Sequence, residues 1–503
     1  MSLAGARPDA PARCDGNGFD GLFAKGERVS SAVQRSAGAS DALARFALRV
    51  GEEALDTRVA RKVGTHLLDV LGVATVAALQ PFAPGVRSVV AGLGGPAEAS
   101  AIGLATRIAA PNAALANGTF AHGVDYDDTH LAAIVHPSAT VIPAALAVAE
   151  ETDARGGALA RACAAGLETA VRIGLAAEGG FHERGFHPTP ICGVFGAAMA
   201  AGMLYRLKAS EMVSSLGLAA SMAAGLLEFL TDGTSAKRLH GGWGAHGGII
   251  AARLARAGLS GPAGGIDGRF GLLRTHLGDA AADGTRISRD LSERWEMLDI
   301  ALKPYPCCHF LHAFLDAARA LREELCGPGA TAADARAAIA RIERIECLVP
   351  PLAVPIVCEP LATKRVPQTP YDAQFSLPFA VALMLVRGRA TLDDFTPESI
   401  RDAGLLGLAA RVEYGEYRGS DFARSFPGRV RLHLADGRLL DRDQPDNRGG
   451  PGSPLSAAEV EAKFRANAEP LVGEAGASRI VSMAADLDTG SARELMAPFA
   501  RTG

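Results

Sequence analysis

Between about residues 40 and 275 the apolar positions fall three and four apart. "DALARFALRVGEEAL", "TRVARKVGTHLLDVLGVATVAAL" and "SEMVSSLGLAASMAAGLLEFL" show the pattern most clearly, and it predicts helices throughout this stretch. No alternating run of any length interrupts it. Gly and Ala are dense inside these segments, which lets helices approach closely, and no fixed repeat period appears. After "GPAGGIDGRFG" the texture changes. A helix at "FLHAFLDAARALREEL" is followed by the β-branched runs "IERIECLVPP" and "VPIVC", which predict extended chain. Then come the apolar helix "FSLPFAVALMLV" and two further extended runs, "RVEYGEY" and "RVRLHLADGRLL", the second with an Asp-Gly hairpin signal. The Gly/Pro-rich "DQPDNRGGPGSPLSAAEVEAKF" leads into a last helical stretch, with Ser456 as N-cap and Glu459 completing a capping box.

The pattern therefore predicts a mainly α chain with an α+β second domain. Its parts are an arm at 1–36 expected to be disordered, a helical domain at 37–275, an α+β domain at 276–454, and helices at 455–503 that rejoin the first domain. A chain of 503 residues with 48 % hydrophobic content has material for more than one core. The formal net charge of −4 and the absence of a basic field argue against nucleic-acid binding. The first thirty residues lack the apolar core of a secretory signal, and no uninterrupted apolar run reaches the ~20 residues a membrane span needs. A soluble cytoplasmic protein is expected. Eight cysteines without a C-x-x-C pair speak against structural zinc or an iron–sulfur cluster and for reduced thiols.

Chemistry concentrates in four places. "FAHGVDYDDTHLAAIVHP" (120–137) packs three aspartates, three histidines and a threonine into eighteen residues. "FHERGFHPTPICGVFG" carries His182 and His187, "DGTSAKRLHGGWGAHGG" carries Lys237, Arg238, His240 and His246, and "KPYPCCHFLH" carries Lys303, Tyr305, His309 and His312. A metal site would need a ligand spacing such as H-E-x-x-H, which none of these offers. Asp127, Asp128 and His130 also suit a plainer role as hydrogen-bonding groups in a buried turn. An Asp beside a His near lysines is what proton abstraction next to a carboxylate needs, with the cations binding substrate carboxylates. "LHGGWGAHGG" lacks the P-loop signature, so close backbone approach explains its glycines better than a phosphate does. Adjacent Cys307 and Cys308 read as buried neutral thiols, since such a pair closes a disulfide only under strain.

The stretches "ANGTFAHGVDYDDTHLAAIVHPSATVIPAALAVAE", "GFHPTPICGVFGAA", "AKRLHGGWGAHGGIIAARLARAGLSGP" and "IALKPYPCCHFLHAFLDAA" together resemble the MmgE/PrpD family. That family includes 2-methylcitrate dehydratase, cis-aconitate decarboxylase and iminodisuccinate epimerase. The resemblance covers nearly everything after residue 40. It implies a helical domain discontinuous in sequence, an α+β lid-like domain, a homodimer, and a site between the domains that needs neither metal nor cofactor. Carried over by motif, the catalytic set is Asp125, Thr129, His136, His187, Lys237, Lys303 and His309. Arg238, His240, His246 and Tyr305, from the same clusters, are the candidates for substrate binding. In the decarboxylase an aromatic hydroxyl is expected in the segment matching "FSLPF", where this chain has Phe379; Tyr371 or Tyr305 could substitute. His136 or His187 would move the proton, with Asp125 orienting it. The expected activity is a cofactor-independent lyase acting on a small di- or tricarboxylate, with dehydration of a 2-methylcitrate-like hydroxy acid first. Epimerisation of a dicarboxylate and decarboxylation of cis-aconitate are the alternatives.

Overall fold

The computed structural model describes residues 38–278, 282–327, 331–418 and 425–500. The arm expected at 1–36, with its Cys14, lies outside the described residues.

Helices form where the apolar periodicity places them. Thr57–Ala78 begins at Asp56, whose carboxylate accepts the Arg58 amide, and it buries Val59, Val63, Leu67, Val70 and Ala74 along one stripe. Gly72 on this helix sits against Phe464 of the last long helix, Ala457–Ala485, and a Cβ there would stand 3.2 Å from it. The last helix starts as the sequence predicts, with Ser456 and Glu459 in a reciprocal cap. Its buried Val460, Phe464, Val472 and Ile480 belong to the same hydrophobic core as the helices from Ala39 to Arg256. A second core holds the residues from 301 to 434 together with Leu131. No single helix among the described residues is long and apolar enough to cross a membrane.

The mainly α chain carries a small mixed sheet, as the pattern indicates. The strands are β1 (Thr129–His130), β2 (Ile300–Ala301), β3 (Ile342–Val349), β4 (Val412–Glu416), β5 (Gly428–Leu434) and β6 (Leu439–Gln444). The last four form one sheet in the order β4-β3-β5-β6, with β3 and β4 parallel and the other pairs antiparallel. Asp436 and Gly437, the glycine at φ +81°, turn the β5–β6 hairpin.

Three local readings are corrected. "VPIVC" is a helical turn, Val354–Val357, because Pro350, Pro351 and Pro355 withhold the amides a strand would need and suit a helix start. The helix in "SEMVSSLGLAASMAAGLLEFL" ends at Ala220, and a short one resumes at Phe229–Asp232. Between them Gly225 adopts φ +153° and its carbonyl accepts the His187 amide, so a tertiary contact overrides the helical period. The helical half also holds one short strand, β1, which pairs with β2 and so brings the 120–137 stretch beside Lys303.

Candidate active site

Asp125 follows the helix Ala110–Ala121 and stands at φ +54°, a left-handed conformation that directs its carboxylate inward. The carboxylate is fully buried. Its Oδ1 accepts Lys237 Nζ at 2.5 Å and Lys303 Nζ at 2.9 Å, and Lys303 also reaches the Asp125 carbonyl at 3.0 Å. Lys237 comes from the first turn of Ala236–Arg256, and Lys303 from the chain just after β2. Burial alone would raise the Asp125 pKa, but the two ammonium groups outweigh it and hold it well below the usual carboxylate range. Burial likewise opposes charge on Lys237, yet Asp125 prevails and its pKa is raised. Asp125 and Lys237 therefore favour their ionised forms, with the Asp125 Oδ2 atom lacking a protein partner.

The histidines are held neutral. Burial takes His136 down to about 3, with Lys303 and Lys237 adding to it against the pull of Asp127. His136 Nδ1 lies 2.7 Å from the Asp128 carbonyl and 3.0 Å from Thr129 Oγ1. A carbonyl can only accept, so the proton sits on Nδ1 and Nε2 carries the free lone pair. The sequence reading had Asp125 orient this histidine; the structure gives that task to a backbone carbonyl, because the Asp125 carboxylate is taken by lysines. His187, at the start of Pro188–Leu204, pairs Nδ1 to Nδ1 with His240 at 2.8 Å, and burial drives it well below its ordinary range. Asn447 Nδ2 donates to His309 Nε2 at 2.5 Å, which assigns the His309 proton to Nδ1. Burial also lowers His309 strongly, with His312 beside it.

A second layer fixes these groups. His66 pairs with Asp128 and His122 with Asp127, each at 2.7 Å and fully buried. Lys463, from the last long helix, bonds to Asp69 at 2.7 Å and donates to the carbonyls of Tyr126 and Lys303, both at 2.9 Å. Burial pushes Asp69 up and Lys463 down, and the attraction between the two opposes both shifts.

All seven residues expected to be catalytic, Asp125, Thr129, His136, His187, Lys237, Lys303 and His309, line one tight cavity of about 60 Å³. The four expected substrate-binding residues do not. Arg238 turns away and lies over the rings of Phe82 and Tyr371. His240 stands behind His187, His246 bonds to the Pro111 carbonyl, and Tyr305 donates to Asp316. Phe379 is buried in the second core against Phe395, and the Tyr371 hydroxyl is enclosed without a partner, so neither supplies a hydroxyl to the cavity. Sequence reasoning left out His182, Cys308 and a set of apolar side chains on the wall, Phe229, Phe310, Phe375 and Phe426 among them. His182 carried a signal in its place in the second cluster, and Cys308 and Phe310 in theirs in the fourth. Cys307 and Cys308 are free thiols raised by burial. The glycines of "LHGGWGAHGG" lie inside a helix, where a Cβ on Gly242 would strike the Leu115 carbonyl, so they serve backbone approach.

Among the described residues no group of three His, Cys, Asp or Glu side chains converges as a metal would require. A wider cleft of about 600 Å³ lies on the His130 side of β1. Its Arg286, Arg289 and Arg294 are already paired with Glu178, Asp283, and Glu296 with Asp299, whereas Asp125, His136, Lys237 and Lys303 line the smaller cavity.

The chain is 29 % identical to human cis-aconitate decarboxylase over 72 % of its own length and 73 % of the relative's. It is 26 % identical to the cis-aconitate decarboxylase-like protein oryM of Aspergillus oryzae, over 78 % and 82 % of the two chains. For cis-aconitate decarboxylase of Aspergillus terreus the figures are 23 %, 92 % and 95 %. The MmgE/PrpD N-terminal domain matches residues 41–284 and the MmgE/PrpD C-terminal domain residues 305–489. The chain belongs to the MmgE/PrpD family.

Proposed function

We propose that this protein is a cofactor-independent lyase that removes water from a small hydroxy polycarboxylate of the 2-methylcitrate kind. The observation that carries the reading is the convergence of the Asp125–Lys237–Lys303 cluster and the free Nε2 of His136 on one buried cavity. A substrate carboxylate docks beside the two ammonium groups. His136 Nε2 takes the proton from the adjacent carbon, and the electron pair moves into the carboxylate, whose extra charge Lys237 and Lys303 hold. Preorganised cations in a dry site contribute several kcal/mol to such a step, roughly 3 to 4 for one well-placed donor. The pair then returns to form the C=C bond as the C–O bond breaks, and the imidazolium of His136 gives its proton to the departing hydroxide. His309, a neutral Nδ1–H donor, hydrogen-bonds the leaving oxygen without itself losing a proton.

Loss of CO₂ is the second reading, and the decarboxylase relatives favour it. There the same lysines stabilise the carbanion left by CO₂, and a proton that solvent water gives to His136 Nε2 passes from it to the carbon, leaving the histidine neutral again. NMR in D₂O with citrate, 2-methylcitrate, cis-aconitate and iminodisuccinate separates the cases. We expect loss of water from a hydroxy acid; loss of CO₂ would establish the second reading, deuterium exchange alone an epimerase, and silence on all four would sink the class. His136→Ala should lower kcat by about 10²–10⁴ while the fold persists, and full activity in that variant would remove the base.

A further inference from the structure

His187 lines the cavity yet takes no part in the proton transfer, and its partner His240 stands one layer back. The two rings meet Nδ1 to Nδ1 at 2.8 Å. Nitrogens this close share one proton, since two would collide and none would set lone pair against lone pair. Burial disfavours charge on either ring, holding His187 well below its ordinary range and His240 down at about 3. One neutral ring therefore donates from Nδ1 and the other accepts. If His187 donates, its Nε2 presents a lone pair; if His240 donates, His187 Nε2 carries the hydrogen. His240 does not line the cavity, so Nε2 is the His187 nitrogen left for a ligand.

The Asp125 carboxylate already accepts hydrogen bonds from both Lys237 and Lys303, so their attraction for a substrate carboxylate is partly offset. A polycarboxylate in this cavity needs neutral N–H donors as well, and a lone pair aimed at a carboxylate would repel it. We infer that His240 is a positioning residue: it donates its Nδ1–H to His187 Nδ1 and so fixes His187 as an Nε2–H donor to a substrate carboxylate. The histidines then divide their roles, His136 as base through a bare Nε2, His187 and His309 as hydrogen-bond donors. The sequence spacing fits. His240 lies three residues after Lys237 on the helix Ala236–Arg256 and shares its face, so one turn supplies both a cation and the donor that sets a histidine. The inference rests on the proposed lyase reading and adds a group that holds the substrate.

The tautomer can be read directly by ¹⁵N NMR on the full chain labelled at its histidines, with His187 assigned by its absence from His187→Gln. We expect the hydrogen on His187 Nε2; a His187 ring protonated at Nδ1 would overturn the inference. Steady-state kinetics on the compound that the D₂O panel turns over reads the consequence. His240→Leu removes the donor at a partly exposed helical position. It should raise KM about 5- to 10-fold, the net effect of one hydrogen bond, and change kcat by less than about threefold, because His136 keeps its own partners. His240→Asn places an amide Nδ2 where Nδ1 stood and should return KM to within about threefold of the parent. If His240→Leu lowers only kcat or the melting temperature, or if His240→Asn does no better, His240 is a packing residue and the inference is overturned. Should the tautomer or the rescue fail while the panel shows turnover, the inference falls and the lyase reading stands. A silent panel with the expected tautomer overturns the lyase reading, and with it the substrate contact assigned to His187.

Discussion

The two sides of the cavity are built differently. On the polar side each group is locked by a buried partner: Asp125 by two lysines, His136 by a carbonyl, His187 by His240, His309 by Asn447. On the facing side Leu227, Phe229, Leu230 and Ile356 sit on or beside short helical turns, and their side chains meet the cavity through apolar packing. The difference teaches that chemistry here is preorganised by electrostatics and shape by side chains that can be exchanged. Changes on the first side should therefore be severe and coupled to stability, and changes on the second mild and confined to ligand choice.

Asp125→Asn is the strongest way to break that comparison. It leaves two buried ammonium groups facing a neutral amide, and removing one partner of a buried ion pair costs about 3–5 kcal/mol. Urea unfolding should show a loss of that size, together with loss of activity. A variant as stable as the parent would mean that the cluster is not the charged unit its geometry describes.

Lys463→Met probes the layer beneath. The substitution strands Asp69 and frees the carbonyls of Tyr126 and Lys303, so we expect a stability loss up to about 3 kcal/mol and a lower kcat with KM little changed. Asp69→Asn added to it should recover part of the stability, since the orphaned charge is gone, but not the kcat. Recovery of both would show that Lys463 matters only as a counter-charge.

Acid should unfold the polar side first. His136, His130 and His182 have folded-state values of about 3, 4 and 4 against an ordinary 6.5, in each case from burial above all. Below pH 6.5 the unfolded chain binds protons that the folded chain refuses, so stability is full above that pH and drains away toward pH 4 and 3. Asp125, held low by its lysines, adds a further loss below its ordinary 3.8. Asp69 and Glu168, raised by burial, work in the opposite sense and blunt the slope. Melting temperatures at pH 7.5, 5.5 and 4.5 should fall in that order by several degrees at least. A flat profile would place the histidines in water and not in a dry site.

How much of this was legible in the sequence follows the same division. The polar side could be read because Asp125, Thr129 and His136 crowd one stretch of an otherwise apolar chain and because lysines and histidines recur in three later clusters. Their convergence required β1 and β2 to pair, and a two-residue strand leaves no pattern to find. Which partner each group takes was not legible: an Asp eleven residues before a His suggests a dyad, and only the fold reveals that Lys237 and Lys303 reach it first. The apolar side was hidden altogether. Phe229, Phe375 and Phe426 look like core residues in any window, and the helical period ran on through 221–230 because nothing local announces that Gly225 will bond to His187.

Arg238 offers the smallest and sharpest comparison, since it neighbours Lys237 in sequence yet belongs to neither wall. Its guanidinium lies 4.4 Å from the Phe82 ring centroid and 4.9 Å from that of Tyr371. Contacts of this kind contribute roughly 0.5–2 kcal/mol according to how far they are desolvated. Arg238→Met keeps the length and apolar stem and removes the charge, so stability should fall by about 1 kcal/mol and kcat/KM by less than about threefold. Lys237→Met, one position away, removes a cation bonded to Asp125 and should cost about 10²-fold or more. Steady-state kinetics on the two variants side by side decide the matter. A large loss of affinity for carboxylate ligands in Arg238→Met would bring a third cation to the cavity.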